Sequence, residues 1–133
     1  MTDDIASLRR ILRSARTLAV VGLSAEWHRP SFFAAKYMQE HGYRIIPVNP
    51  RYPEILGERC YPSLAAIPEP VDLVDVFRRP EHCVDVAREA VEIGAGALWL
   101  QLGIRSAGAR AIAEAAGLDY VEDACTAVVH RRI

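Results

Sequence analysis

The segment Gly22-Leu-Ser-Ala-Glu-Trp-His-Arg-Pro-Ser31 gathers the groups of this sequence best suited to holding an anion: two hydroxyls (Ser24 and Ser31), one guanidinium (Arg29), and a glycine where the chain leaves an apolar run. A loop of this kind, opening a helix at Pro30, brings backbone N–H groups and the positive end of a helix dipole to a phosphate. It is not a dinucleotide fingerprint. That loop, G-x-G-x-x-G, needs glycines so the backbone can approach a pyrophosphate, and here only Gly22 is present; a G-K-[ST] triphosphate loop is also missing. The segment reads as a wider phosphate loop in which side chains do part of the binding.

A second set of polar groups closes the next apolar run. Tyr43-Arg-Ile-Ile-Pro-Val ends in Asn49, Pro50 and Arg51, where an NAD-binding unit normally offers a carboxylate to the ribose hydroxyls. An amide and a guanidinium suit a phosphorylated ribose instead. Two ligands carry one: NADP at the 2′ position and coenzyme A at the 3′ position.

The other reactive side chains form no recognisable set. His28, His41, His82 and His130 do not stand with a Ser or Cys nucleophile and an orienting carboxylate in any motif, so no catalytic residues are assigned. Cys60, Cys83 and Cys125 are odd in number and form no C-x-x-C pair, which argues against a disulfide framework and against a zinc site. They read as small buried hydrophobes.

The elements that must position these loops alternate between strand and helix. An amphipathic helix is expected over about residues 3–15, with Ile5, Leu8, Ile11 and Leu12 on one face. Thr17 to Leu23 reads as a central parallel strand covered on both faces. A helix follows from Pro30 to a stop at Gly42, then a second strand before Asn49. Tyr52 to Pro70 reads as an irregular connection with one helical turn at its end. Val71 to Phe77 is the third strand, interrupted by Asp72 and Asp75, which places it toward a sheet edge or its carboxylates near loops. A helix from about Pro80 to Ile93, a fourth strand from Ala97 to Gly103, a helix from Ala107 to Ala116, a short fifth strand at Asp119 to Glu122 and a closing helical turn complete the chain. This alternation predicts an α/β fold, a Rossmann-like doubly wound five-stranded parallel sheet of order three-two-one-four-five, in a single domain over residues 1–133. That order would face the Gly22-Leu-Ser24 and Gln101-Leu-Gly103 strand ends across one crevice.

Composition narrows the classes of partner. With 51% apolar and 25% charged residues the chain is that of a folded domain, and 16 basic against 17 acidic side chains gives no reason to expect nucleic acid or an anionic membrane as partner. The sequence has no secretory signal and no long apolar span, so a cytoplasmic location is expected.

Gly22-Leu-Ser, Arg29-Pro-Ser, Gly42-Tyr, Ile46-Pro-Val-Asn-Pro, Ile55-Leu-Gly, Val71-Asp-Leu-Val-Asp-Val-Phe-Arg, Trp99-Leu-Gln-Leu-Gly-Ile104 and Ala116-Gly-Leu occur in the serial order seen in small stand-alone CoA-binding proteins. Over roughly residues 10–130 the chain resembles them, and through them the N-terminal CoA-binding domain of the succinyl-CoA synthetase α subunit. The resemblance implies that Ser24 and Ala25 hold the pyrophosphate and that Asn49 and Arg51 meet phosphate or ribose. It implies an adenine-receiving wall at Val76, Phe77, Arg78 and Pro80, and a pantetheine arm running beside Gln101, Leu102 and Gly103. The phosphorylated histidine of the synthetase belongs to a later domain with no counterpart in this sequence. The expected function is therefore non-enzymatic binding of CoA or an acyl-CoA. An NADP-binding reductase, or a CoA-binding interaction subunit of a separate acyl-CoA ligase, are the alternatives.

Overall fold

The computed structural model describes residues 4–133. Helix α1 (Ile5–Ser14) begins at Asp4, whose carboxylate accepts the Ser7 N–H at 2.9 Å, so the helix is capped by an acid rather than carrying one in its first turn. The expected start at residue 3 lies outside the described residues. Leu8, Ile11 and Leu12 are buried as the periodicity requires, whereas Ile5 stays exposed.

Strand β1 (Thr17–Val21) leads through the Gly22–Ser31 loop into α2 (Pro30–Glu40) and β2 (Arg44–Val48). The connection that follows is more ordered than expected. It contains a small antiparallel hairpin, β3 (Glu54–Ile55) and β4 (Glu58–Arg59), turned by Leu56 and Gly57 at positive φ of 55° and 75°. The expected helical turn is present as a 3-10 turn at Leu64–Ala66. Strand β5 (Leu73–Val76), α3 (Pro80–Glu92), β6 (Ala97–Leu100), α4 (Ala107–Ala115), β7 (Asp119–Val121) and α5 (Thr126–Arg132) complete the chain.

Five strands form one parallel sheet, as the alternation of elements requires, in the order β2-β1-β5-β6-β7. Counted along these five, that is two-one-three-four-five rather than three-two-one-four-five. The third sheet strand, β5, pairs Leu73 with Leu18 on one side and with Ala97 on the other. Two physical reasons explain the difference. Pro47, in the middle of β2, has no N–H to give to a ladder, and such a strand belongs at an edge. Asp75 does not exclude β5 from the centre, because its carboxylate is hydrogen-bonded within the interior. Asp72 does behave as expected: it lies at the loop end and accepts the N–H groups of Arg16 and Thr17 at 2.8 and 2.9 Å.

Side chains alternate across the sheet. One face, with Ala19, Val21, Val74, Val76, Leu98 and Leu100, packs on α3 and α4. The other, with Leu18, Val20, Leu73, Trp99 and Val121, packs on α1, α2 and α5. The chain therefore changes sides between β1 and β5, and the opening at the carboxyl ends of those two strands is where a ligand is expected.

Candidate functional site

Gly22 makes this end of the sheet possible. Its φ is +86°, and a Cβ there would stand 2.7 Å from the Phe77 carbonyl oxygen. The bare backbone lets the ends of three strands meet: Gly22 N–H donates to the Val48 carbonyl at 3.0 Å, and Phe77 N–H to the Val21 carbonyl at 2.9 Å. A cleft of about 580 Å³ opens above this junction.

On the β1 side the loop is held from within. Leu23 is fully buried, the Ser24 N–H donates to the Ser31 hydroxyl at 3.0 Å, and the Ser24 hydroxyl accepts the Glu26 N–H at 3.0 Å. Ser31 is thus a brace as well as part of the wall, and both hydroxyls retain a proton to donate. Helix α2 starts with Pro30 and no capping side chain, so its positive end is open to the cleft it lines. Arg29 also lines the cleft and pairs with Glu26 at 2.8 Å. The guanidinium holds the Glu26 carboxyl below its usual range. A bound phosphate would compete with Glu26 for Arg29.

On the β2 side Asn49 ties two loops together. Its Nδ2 donates to the Leu23 carbonyl at 2.9 Å and its Oδ1 accepts the Arg51 N–H at 2.9 Å. Arg51 is exposed on the cleft wall with no ion-pair partner among the described residues. Phe77, from the end of β5, forms an apolar part of the wall, and Gln101 and Leu102 from the end of β6 complete it opposite. The Gly22 and Gln101 ends therefore do share one cleft, although β5 stands between their strands.

The remaining expected residues lie elsewhere. Val76 alternates to the opposite face and is fully buried against α3 and α4, so it cannot touch a ligand in this cleft. Ala25 packs toward the core on the α2 side. Arg78 and Pro80 are exposed outside the cleft lining, Arg78 leaning against Gly22 and Pro80 opening α3. Gly103 follows the lining residue Leu102, and its N–H is taken by Asp123 at 2.7 Å. Conversely Glu26, Phe33, Tyr52, Ile104 and Cys125 line the cleft without having been assigned to it. Of these, Phe33, two residues past Ser31, and Tyr52, next to Arg51, stand close enough to expected residues for the sequence to have suggested them.

Beneath the cleft lies a buried polar cluster. Asp75 (1% exposed), Gln101 (3%) and Thr126 (0%) meet, with Gln101 Nε2 donating to Asp75 Oδ1 at 2.5 Å and to Thr126 Oγ1 at 3.0 Å. The Thr126 hydroxyl donates in turn to Asp75 Oδ2 at 3.5 Å. Burial pushes the Asp75 carboxyl up to about 7, against the opposing effect of these hydrogen bonds. Cys83 is buried and Cys60 half-buried, and burial raises both thiols; half-buried Cys125 lies at the cleft. His41 and His130 gather around Tyr37, and a small hollow that includes Arg16, just ahead of β1, lies beside them, at the other end of the sheet.

The sequence profile of the CoA binding domain matches residues 16–131. The chain belongs to this family. The chain is 40% identical over 125 residues to the uncharacterized protein YneT of Bacillus subtilis, a match covering 94% of this chain and 93% of that one. A hypothetical protein from Pyrococcus horikoshii OT3 superposes with a TM-score of 0.95 at 35% identity, over 98% of this chain and 92% of that one. The domain is also 30% identical over 131 residues to the ADP-forming acetate–CoA ligase I of Archaeoglobus fulgidus, covering 89% of this chain but only 19% of the ligase. Among the described residues no helix is long and apolar enough to cross a membrane.

Proposed function

We propose that the protein binds coenzyme A or an acyl-CoA in this cleft and holds it without catalysing a reaction. The observation that carries the reading is the convergence of two arginines, an open helix N-terminus and an aromatic wall on one cleft at the switch point of a CoA-binding-domain fold. The cleft volume is in the range of cofactor sites. In this reading the start of α2 and Ser24 hold the pyrophosphate, Arg51 takes the 3′-phosphate, Phe77 receives the adenine, and the pantetheine arm runs past Gln101 and Leu102. Absence of a triphosphate loop from the sequence supports a holder rather than a ligase. A cytoplasmic setting fits that role.

Calorimetric titration with CoA, NADP and NAD tests the assignment. CoA should bind most tightly, and equal or tighter binding of NADP would overturn it in favour of a reductase. Arg51→Ala should weaken CoA about tenfold or more while affecting dephospho-CoA less. Supplied with a carboxylic acid, CoA, a nucleoside triphosphate and Mg²⁺, the protein should release no nucleoside diphosphate; CoA-dependent release that disappears in Ser24→Ala/Arg29→Ala would reveal an enzyme.

A second reading has one observation in its favour. Trp27, Phe33 and Leu102 are 79%, 58% and 72% exposed, in or beside the loops and helix that line the cleft. Such apolar exposure suits a surface that a separate ligase component covers. Co-sedimentation with such a component, weakened by Trp27→Ser and Leu102→Ser, would support it.

A further inference from the structure

Resting on the reading of the cleft as a CoA site, we propose that Asp75 and Thr126 are positioning residues. They lock the Gln101 carboxamide with its oxygen toward the cleft, so that the floor of the site selects the part of a ligand that donates a hydrogen bond, such as a secondary amide N–H.

The geometry carries this. An ionised carboxylate only accepts, so the Gln101 atom facing Asp75 Oδ1 at 2.5 Å has to be Nε2. The second Nε2 hydrogen goes to Thr126 Oγ1 at 3.0 Å, whose own hydrogen goes to Asp75 Oδ2. Both amide hydrogens are then committed inward. Oε1 has no partner among the described residues, yet no side-chain oxygen or nitrogen among them is both buried and unpaired, and Gln101 lines the cleft. Oε1 is therefore the amide atom left for a ligand.

This gives the cleft a direction. At the β1 and β2 ends Arg29 and Arg51 favour groups that only accept hydrogen bonds, such as phosphates. At the β6 end an unpaired carbonyl-type oxygen disfavours phosphate and favours N–H. A CoA molecule has phosphates at one end and two secondary amides along its arm, so the two ends of the cleft hold it in one orientation. The cluster is also a costly way to fill an interior: a buried carboxylate with neutral partners is less stable than apolar side chains of the same volume. Fixing a rotamer at the ligand site is what such a group can do that a leucine cannot.

The lock depends on the charge of Asp75. Once protonated, Asp75 can donate to Oε1, and the amide is free to turn its N–H groups outward. Across the sheet Asp75 is flanked by Val20 of β1 and Trp99 of β6, and Thr126 meets it from α5; none of these is charged. The ionisable groups of the helices on this face are Arg9, Arg10 and Arg13 on α1, Lys36, Tyr37 and Glu40 on α2, and His130, Arg131 and Arg132 on α5, with Cys125 at its start. None of them contributes to the shift of the Asp75 carboxyl, which burial places at about 7.

The test is a calorimetric titration of CoA, and of 3′-phosphoadenosine 5′-diphosphate, which has the phosphates but no amide arm, between about pH 5.5 and 8.5. Wild-type affinity for CoA should fall about threefold to tenfold as the pH drops through about 7. The fall in the wild type should exceed the fall in Asp75→Asn by that factor, a difference that cancels the titration of the ligand's own phosphates, and the armless nucleotide should show no difference between the two proteins. In parallel, the side-chain amide NMR signals of Gln101 in the wild type should shift with the same midpoint, a measurement that needs no variant to fold. If both ligands bind, but CoA affinity has the same pH dependence in the wild type and in Asp75→Asn, or the Gln101 signals do not move, the positioning role is overturned and the CoA site stands. Failure of CoA to bind at any pH overturns the CoA site and the positioning role with it; if CoA binds and the armless nucleotide does not, an equal pH dependence of CoA binding in the wild type and in Asp75→Asn overturns the positioning role alone.

Discussion

Against α3 and α4 the sheet presents apolar side chains, from Ala19 and Val21 across to Leu98 and Leu100, and beside them Tyr120, whose hydroxyl donates to Glu122 at 2.8 Å. Against α1, α2 and α5 the same strands present Leu18, Val20, Leu73 and Trp99, but this is also the side of Ser31, Asp75, Gln101 and Thr126. These four are the buried polar residues among those described, and all of them lie at or under the cleft. Strand composition does not separate the two faces, since both are made by the same five runs of sequence. What separates them is the cleft: one face stabilises the fold mainly by apolar burial, and the other gives up some of that stability to fix polar atoms at or under the cleft.

Several measurements can break or sharpen that contrast. The largest effect belongs to the apolar face: Leu98→Ala should lower the free energy of unfolding by about 2–5 kcal/mol, equally at pH 5 and pH 8, because only packing is lost. Denaturant titration at both pH values checks it, and a pH-dependent loss would show that the face is not purely apolar in its energetics. Next is Asp75→Asn. The Asp75 carboxyl is raised above its unfolded range, so the native state binds a proton more readily than the unfolded chain. Its contribution is then fully present near pH 4 and is lost as pH rises through about 7. Wild-type stability should accordingly fall relative to the variant over that window, by about 4 kcal/mol at most. Parallel stability curves would remove the raised carboxyl from the account.

Thr126→Val keeps the shape but removes the acceptor for one Gln101 N–H, at an expected cost of about 1–2 kcal/mol. Chemical denaturation measures it; no loss would mean that water or a rotated amide replaces the bond. The smallest effect returns to the apolar side, where Ser106 caps α4 by accepting the Ala109 N–H at 3.1 Å. Ser106→Ala should cost about 1 kcal/mol with CoA affinity unchanged. An altered affinity would show that the two faces are coupled through the sheet.

The elements of the fold were legible in the sequence because their signals are local. Pro30 and Pro80 stand at the first turns of α2 and α3, and the apolar runs before Gly22 and Asn49 are strands. Strand order was not, and the misleading residue is Asp75. A carboxylate in a strand suggests an edge when its partners are unknown, and here the partners are 26 and 51 residues away. Pro47 held the correct information, since an interior proline marks the true edge strand. In the site, the residues at strand ends, such as Ser24, Arg51 and Gln101, were legible, because parallel α/β sheets bring those ends together whatever their order. Val76 was misassigned by one step of the strand alternation, as its neighbour Phe77 reaches the cleft. Cys125 and Ile104 enter the cleft through the packing of loops and of α5, which no local pattern encodes.

Strand β1 has a further consequence, in the order of synthesis. It pairs on both sides with strands made later, β2 ending at Val48 and β5 ending at Val76. Chains emerge from the ribosome N-terminus first, at about 5–20 residues per second, so the 28 residues from 48 to 76 take about 1–6 s. During that interval the outer edge of β2 can already be covered, since Tyr61 bridges to it, whereas the flank of β1 at Leu18 to Val21 still waits for β5. This apolar strand thus spends seconds as an open edge, its backbone N–H and C=O groups free to pair with another chain. The flank of β1 is open to such pairing until the central strand closes it.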